Sequence, residues 1–399
     1  MVPYPRTYQY YKSVFKGEPM PFAFVDMDLF NQNIEQVKLR AGNKPIRIAS
    51  KSIRCVHLIK HILDYGAPYS GIMPYTASEA LFLANQGFDN LLVGYPTCNS
   101  AEIAQVCEAV KQGINITLMA DAAAHLSRYA EIAQKTGTRL PVCLDIDMSS
   151  VFPGLYFGVY RSSLHQAEEV KKLVSPFLGT AHLAITGIMG YEAQIAGVGD
   201  AVSGATVKNA LVKTLKKQSV AEIAKRRAAV VQTLTAMGIQ LTLVNGGGTG
   251  SLETTVHEDV VTEITVGSAF YSPALFDNYA AFKHEPAAAF AIEITRQPQP
   301  HIYTCLGGGY IASGSAGTDK LPKPYLPAGA QLIPNEGAGE VQTPFIYKGM
   351  ERLTPGDPAF FRHAKAGELC ERFTQLLLVS DGKIINRVPT YRGQNRCFV

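Results

Sequence analysis

The stretch IRIASKSIRCVHLIKHILDYG, residues 46–66, decides how the rest of the chain is read. Ile46, Ile48 and Ala49 make a short apolar strand, and from Cys55 the apolar residues fall at helical spacing until Gly66 stops them. One strand followed by one amphipathic helix is a βα unit, and the unit recurs on both sides. Upstream lies FAFVDMD (22–28) with the helical LFNQNIEQVKLRAG. Downstream come YSGIM, NLLVGY, NITLMA, LPVCLDID, LAITGIMGY, LTLVNGGG and VTEITVG, most of them separated by helices that end in glycine. Such alternation predicts right-handed crossovers around a parallel sheet. It yields nine strand candidates, one more than a (β/α)8 barrel needs, so one of them belongs elsewhere. An open doubly wound sheet is the rival. The unit count and a span of about 250 residues favour the barrel.

After residue 281 the alternation stops. AAAFAIEITRQP, HIYTCLGGGYIAS, GEVQTPFIYKG and QLLLVSDGKIINRVPTY read as strands, with Asp381-Gly382 a hairpin turn inside the last of these stretches. The expected architecture is an α/β chain: an N-terminal extension (1–20), a TIM-type (β/α)8 barrel (21–281) and a C-terminal β domain (282–399). A length of 399 residues exceeds what one core usually serves, in keeping with two units.

The net charge of +4 is small and dispersed, and no basic block or aromatic–basic stripe points to nucleic acid. No apolar run reaches the roughly 18–20 residues of a membrane span. The polar, tyrosine-rich start carries no signal-peptide features. Seven scattered cysteines without a CxxC pair suit a reducing cytoplasm better than a disulfide framework or a zinc knuckle.

In a barrel, reacting groups come from the C-terminal ends of strands. Lys51, Asp145, Asp147 and Tyr191 occupy such ends. Each alone has an ordinary explanation: a lysine after a strand is usually solvated, and DID can simply cap a loop. The glycine loops say more. NGGGTGSLETT (245–255) leaves a strand for a short helix, and its glycines let consecutive N–H groups converge on an anion. VGSAF (266–270) follows the next strand, and late loops of barrels are common phosphate sites. Neither GxxxxGK nor a strand-coupled GxGxxG is present. A late phosphate site plus an early lysine points to pyridoxal 5'-phosphate. Its aldehyde needs an unprotonated amine, and its ring draws electrons from a substrate's α carbon. His57 and His61, one helical turn apart, and His257 read as a solvated or packed helix face rather than ligands, and the basic run 207–218 as a solvated helix face.

FVDMDLFNQNI, IASKS, YTASEALFLANQGFDNLLVGYP, NGGGTGSL and ITVGSAF together resemble the fold-type III pyridoxal-phosphate enzymes. Within them the chain is similar to the D-threonine aldolase / D-serine dehydratase-like family, over about residues 20–395. The resemblance implies that Lys51 is the Schiff-base lysine and that Gly248, Thr249, Gly267 and Ser268 meet the phosphate. It places Arg161, in YRSS, near the cofactor's 3-hydroxyl, and Tyr191 near the ring in a stacking or acid–base role. Two departures matter. Where alanine racemases set an arginine at the pyridine nitrogen, this chain has Thr265. That implies an unprotonated nitrogen and weaker carbanion stabilisation, which disfavours racemisation. Where D-threonine aldolases carry a His-x-Cys or His-x-Asp pair for a divalent cation, this chain has AGELCERF. It offers Glu368 and Cys370 as i and i+2 on a strand, with His363 close by, a set that could hold zinc or manganese.

The expected activity is that of a pyridoxal-phosphate lyase on β-hydroxy D-amino acids, cleaving D-threonine-like substrates to glycine and an aldehyde. Retro-aldol cleavage is preferred to β-elimination because it requires only one proton to leave the hydroxyl. The alternatives are a D-serine or D-threonine dehydratase, an amino-acid racemase, a non-catalytic pyridoxal-phosphate carrier, and a sugar-phosphate barrel enzyme using Asp145 and Asp147. The resemblance also implies a homodimer in which the C-terminal domain helps to close the site. Residues 148–160, MSSVFPGLYFGVY, interrupt the barrel pattern and are a candidate substrate wall.

Overall fold

The computed structural model describes residues 5–315, 317–365 and 367–399. Eight parallel strands close into a barrel: Ile46–Ala49, Tyr69–Met73, Leu91–Leu92, Ile116–Ala120, Leu140–Asp145, Leu183–Gly190, Leu243–Gly246 and Glu263–Val266. The last pairs back onto the first, Ile264 opposite Ile46 and Val266 opposite Ile48. Closure excludes the open doubly wound sheet. Leu92, Met119, Cys143 and Met189 form an apolar cluster of their own, apart from the main core. A buried polar chain runs beside it, from Arg47 to Glu263 and from the Asn245 amide to both Glu263 and Thr265.

The supernumerary strand is the first one. Phe22–Asp26 does not join the barrel. It pairs antiparallel with Ala288–Gln299 and parallel with Gln375–Ser380 in the C-terminal sheet. All five of its residues are buried, and Tyr11 of the preceding helix, Tyr8–Val14, and Phe15 at that helix's C-terminal cap pack their rings on Phe24. The helix after it, Met27–Ala41, returns to the barrel, where Phe30 meets Phe270. Strand then helix is the same local pattern as a βα unit, although the two elements serve different layers. Asp26 sits at this junction: it caps the helix at the Asp28 and Leu29 amides and accepts from Arg6 and Tyr11.

The C-terminal strands form as expected, including Ile302–Leu306, Gln342–Ile346 and the hairpin Gln375–Ser380/Lys383–Pro389. Asp381 and Gly382 both have positive φ (48° and 73°), the geometry a two-residue hairpin turn demands. Residues 148–160 fold into a small antiparallel hairpin, Ser150–Phe152 against Leu155–Phe157, after the fifth barrel strand. Among the described residues no helix is long and apolar enough to cross a membrane.

Glu79 joins the two units. Its carboxylate is fully buried, accepting from the Tyr75 amide at 2.6 Å and from the Tyr391 hydroxyl at 2.8 Å. Burial pushes its pKa up to about 7 against an ordinary value of 4.5. The folded state therefore holds the proton more tightly than the unfolded chain, and stability falls as pH rises from about 4.5 to about 7. The loss should be roughly 3 kcal/mol. Denaturant melts at several pH values should show that slope in the wild type and a flatter one in Glu79→Gln.

Candidate active site

The strand Ile46–Ala49 ends at the barrel mouth in a single tight turn, Ser50–Ser52, which carries Lys51. The turn is fixed from below: Arg54 Nε donates to the Lys51 carbonyl at 2.9 Å. Lys51 Nζ points into a cavity and donates to the hydroxyl of Tyr95 at 2.9 Å. Tyr191 and Arg161 line the same cavity. The Arg161 guanidinium carbon lies 5.9 Å from the Tyr95 ring centre and 5.7 Å from that of Tyr191. Burial alone would raise the Tyr95 phenol, but the Lys51 charge and hydrogen bond, with Arg161, outweigh it and hold the pKa below its usual value. Burial keeps the Tyr191 phenol above its own.

Both glycine loops border this cavity: Gly247, Gly248 and Thr249 from one, Gly267 and Ser268 from the other. Thr249 Oγ1 accepts from the Ala269 amide at 3.0 Å, so each loop braces its neighbour. The first loop is held from behind by Glu192, which is fully buried and accepts from the Gly247 amide at 2.9 Å and from Ser251 and Thr255 at 3.2 Å each. Arg227, equally buried, neutralises Glu192 and also reaches Glu258 and the Gly190 carbonyl. Thr265 lines the cavity too. Its hydroxyl accepts from the Asn245 amide at 2.8 Å, so its own proton is free to be donated elsewhere.

Two aspartates stand beside the cavity rather than in it. Asp145 lines an adjoining recess with Tyr95, Arg161 and Tyr191, and burial, then the Asp121 charge, push its pKa up to about 7. Asp147 accepts from the Ser149 amide at 2.6 Å and so caps the loop into the 150–157 hairpin. Met148 and Val159 border that recess, which gives residues 148–160 a place at the edge of the site. His57 and His257 are exposed, and His61 is half-buried, bonding Asn31 and packing beside the Phe30 and Tyr65 rings.

The expected metal set is not assembled. Ala366, the first residue of AGELCERF, lies outside the described residues. Glu368–Arg372 is a short helix rather than a strand, entered through Gly367 at φ +98°. On a helix, residues two apart point in nearly opposite directions. The Cys370 thiol accordingly donates to the Ile53 carbonyl at 3.2 Å, while Glu368 accepts from Ser313 at 3.0 and 2.7 Å. His363 follows the strand Pro358–Arg362 and is buried against Tyr271. Among the described residues no three His, Cys, Asp or Glu side chains are placed to hold a metal ion, so these donors do not fit one.

Residues 25–274 match the family described as alanine racemase, N-terminal domain. The chain belongs to this family. Its members are fold-type III pyridoxal-phosphate enzymes. One curated relative of this alanine racemase-like chain is the 3-hydroxy-D-aspartate aldolase of Paracoccus denitrificans (strain Pd 1222), 25% identical over 256 residues. That match covers 64% of this chain and spans only 60% of the relative's length. Two solved structures share the fold across nearly the whole chain. The D-threonine aldolase of Filomicrobium marinum has a TM-score of 0.78 at 16% identity, covering 94% of this chain and 95% of its own. The D-threo-3-hydroxyaspartate dehydratase of Delftia sp. HT23 has a TM-score of 0.73 at 18% identity, covering 94% and 98%.

Tyr95, Asn245 and Glu192 were not singled out in the sequence. The first two had a signal, since NLLVGY and LTLVN end at them as IRIAS ends beside Lys51. Glu192 had none, because its partners lie across the fold.

Proposed function

We propose that this chain is a pyridoxal-phosphate-dependent lyase acting on β-hydroxy D-amino acids, with retro-aldol cleavage as its reaction. The observation that carries this reading is the convergence of Lys51 and both glycine loops on one cavity. The cavity suits the cofactor. A Cβ on Gly248 would lie 2.8 Å from Ala196 and 2.9 Å from the Tyr191 ring, and one on Gly267 would lie 2.7 Å from Ser52 Oγ, so bare backbone is required on both sides. The main-chain amides at Gly248, Thr249, Gly267 and Ser268 would hold the phosphate, and Tyr191 and Arg161 the ring and its hydroxyl. Thr265 would face the ring nitrogen with a neutral donor. When bound, the cofactor supplies an electron sink conjugated to the substrate's α carbon.

The chain's own residues supply the rest. Lys51 anchors the cofactor and is freed when substrate takes its place. Its freed amine, or Tyr95 as the phenolate, would take the proton of a β-hydroxyl, since both line the cavity. The names of the relatives, two aldolases and a dehydratase of β-hydroxy D-amino acids, support lyase action on such substrates, and two of the three carry the aldolase name.

Incubation with D-threonine, D-serine and 3-hydroxy-D-aspartate tests the reading. Glycine plus an aldehyde is the expected product; ammonia plus a keto acid would mean a dehydratase, and the L-enantiomer a racemase. No turnover of any of them would overturn it. Gly248→Ala should weaken cofactor binding by about 1–3 kcal/mol, roughly five- to 150-fold, measured by titration with pyridoxal phosphate.

A further inference from the structure

Among the described residues the Lys51 amine has one hydrogen-bonding partner, the Tyr95 hydroxyl at 2.9 Å. A phenol beside an amine can do one of two things: hold the amine in place, or exchange a proton with it. The surroundings favour exchange. Tyr95 is flanked by two cations, Lys51 with Nζ 5.5 Å from its ring centre and Arg161 at 5.9 Å. Both stabilise a phenolate. Facing it from the other strand ends are the carboxyls of Asp145 and Asp147 in the adjoining recess and the phenols of Tyr191 and Tyr75 in the main cavity. Asp147 is occupied with the Ser149 amide. Asp145 opposes ionisation of Tyr95 but is itself drawn toward its neutral form by burial, which weakens that opposition.

We propose that Tyr95 is the proton partner of Lys51, a role that rests on the pyridoxal-phosphate reading above. The phenolate oxygen takes one proton from the lysine ammonium: an O–H bond forms as an N–H bond breaks, and the pair passes from two opposite charges to none. The neutral amine can then bond to a carbonyl carbon. When a substrate amine later displaces Lys51, the same proton returns from the phenol to the freed lysine. Arg161 stays charged throughout and lowers the cost of the phenolate state.

The test follows cofactor uptake rather than turnover. Full-length protein freed of cofactor is mixed with pyridoxal phosphate, and the growth of the visible band is timed across roughly pH 6 to 10, where imidazoles, phenols and amines titrate. Tyr95→Phe, which removes a single oxygen, should slow uptake near neutrality by about two orders of magnitude and move the rising limb to higher pH. Tyr95→His supplies a different proton acceptor and should move that limb down toward the imidazole range, about 6.5. A residue that only held Lys51 in place would change the rate without moving the limb in opposite directions in the two variants. Equal limbs in the wild type and both variants would overturn the assignment while leaving the cofactor reading intact. Failure of the wild type to take up any cofactor would overturn both. Thermal melts of the two variants establish that each is folded, and a limb unmoved from the wild type in either folded variant overturns the assignment.

Discussion

Lys51→Ala is expected to fold normally, to remain colourless with pyridoxal phosphate and to lose lyase turnover by roughly four orders of magnitude or more. The wild type should show a band near about 410–430 nm when loaded, because the conjugated imine formed with a lysine absorbs there. Folding should survive because the turn 50–52 is held by its backbone, through Arg54 Nε on the Lys51 carbonyl and by the Ile53 and Arg54 amides on the Ser50 carbonyl. The lysine side chain is only half-buried, so its removal should cost less than about 1 kcal/mol. Absorbance, product assay and a thermal melt on one preparation separate the two effects. A variant that kept the band would show that another amine carries the cofactor.

Arg227→Leu is expected to destabilise the protein by about 3–5 kcal/mol, the cost of leaving a buried carboxylate without its partner. Arg227 and Glu192 are both fully buried, so the carboxylate left behind is cut off from bulk solvent. The damage should reach the cofactor as well. Glu192 holds the Gly247 amide and the Ser251 and Thr255 hydroxyls, and with its charge uncompensated it will draw protons or shift, loosening the 246–251 loop. Urea melts should therefore show the loss of stability, and pyridoxal-phosphate titration a parallel loss of affinity. Adding Glu192→Gln to Arg227→Leu removes the stranded charge while keeping an acceptor for Gly247, and should recover part of the stability. If the double variant were as unstable as the sum of the two singles, the charge would not be the cause.

The parts of this architecture that were legible in the sequence are those encoded locally. The strand, lysine and helix of residues 46–66 lie within one βα unit, and the two glycine loops each follow their own strand, so residue type and order suffice to find them. Strand 22–26 fails the same reading for a physical reason. Its partners, 288–299 and 375–380, lie hundreds of positions downstream, and nothing within the segment distinguishes a strand of the outer sheet from one of the barrel. AGELCERF fails through period. Read with a repeat of two, Glu368 and Cys370 share a face; wound into the helix that follows Gly367, they part, one to Ser313 and one to Ile53. Gly367 itself is needed because its α carbon presses on the Lys51 turn, where a Cβ would come within 2.3 Å of the Lys51 carbonyl oxygen. Tyr95 reaches Lys51 from the end of a strand two places along the barrel, so the pair forms only when three successive strands have assembled.

The most direct measurement is to load the wild-type protein with pyridoxal phosphate, reduce it with borohydride and map the modified peptide by mass spectrometry. The account predicts one phosphopyridoxyl group per chain, on Lys51. Label on a different lysine, or none at all, would contradict it.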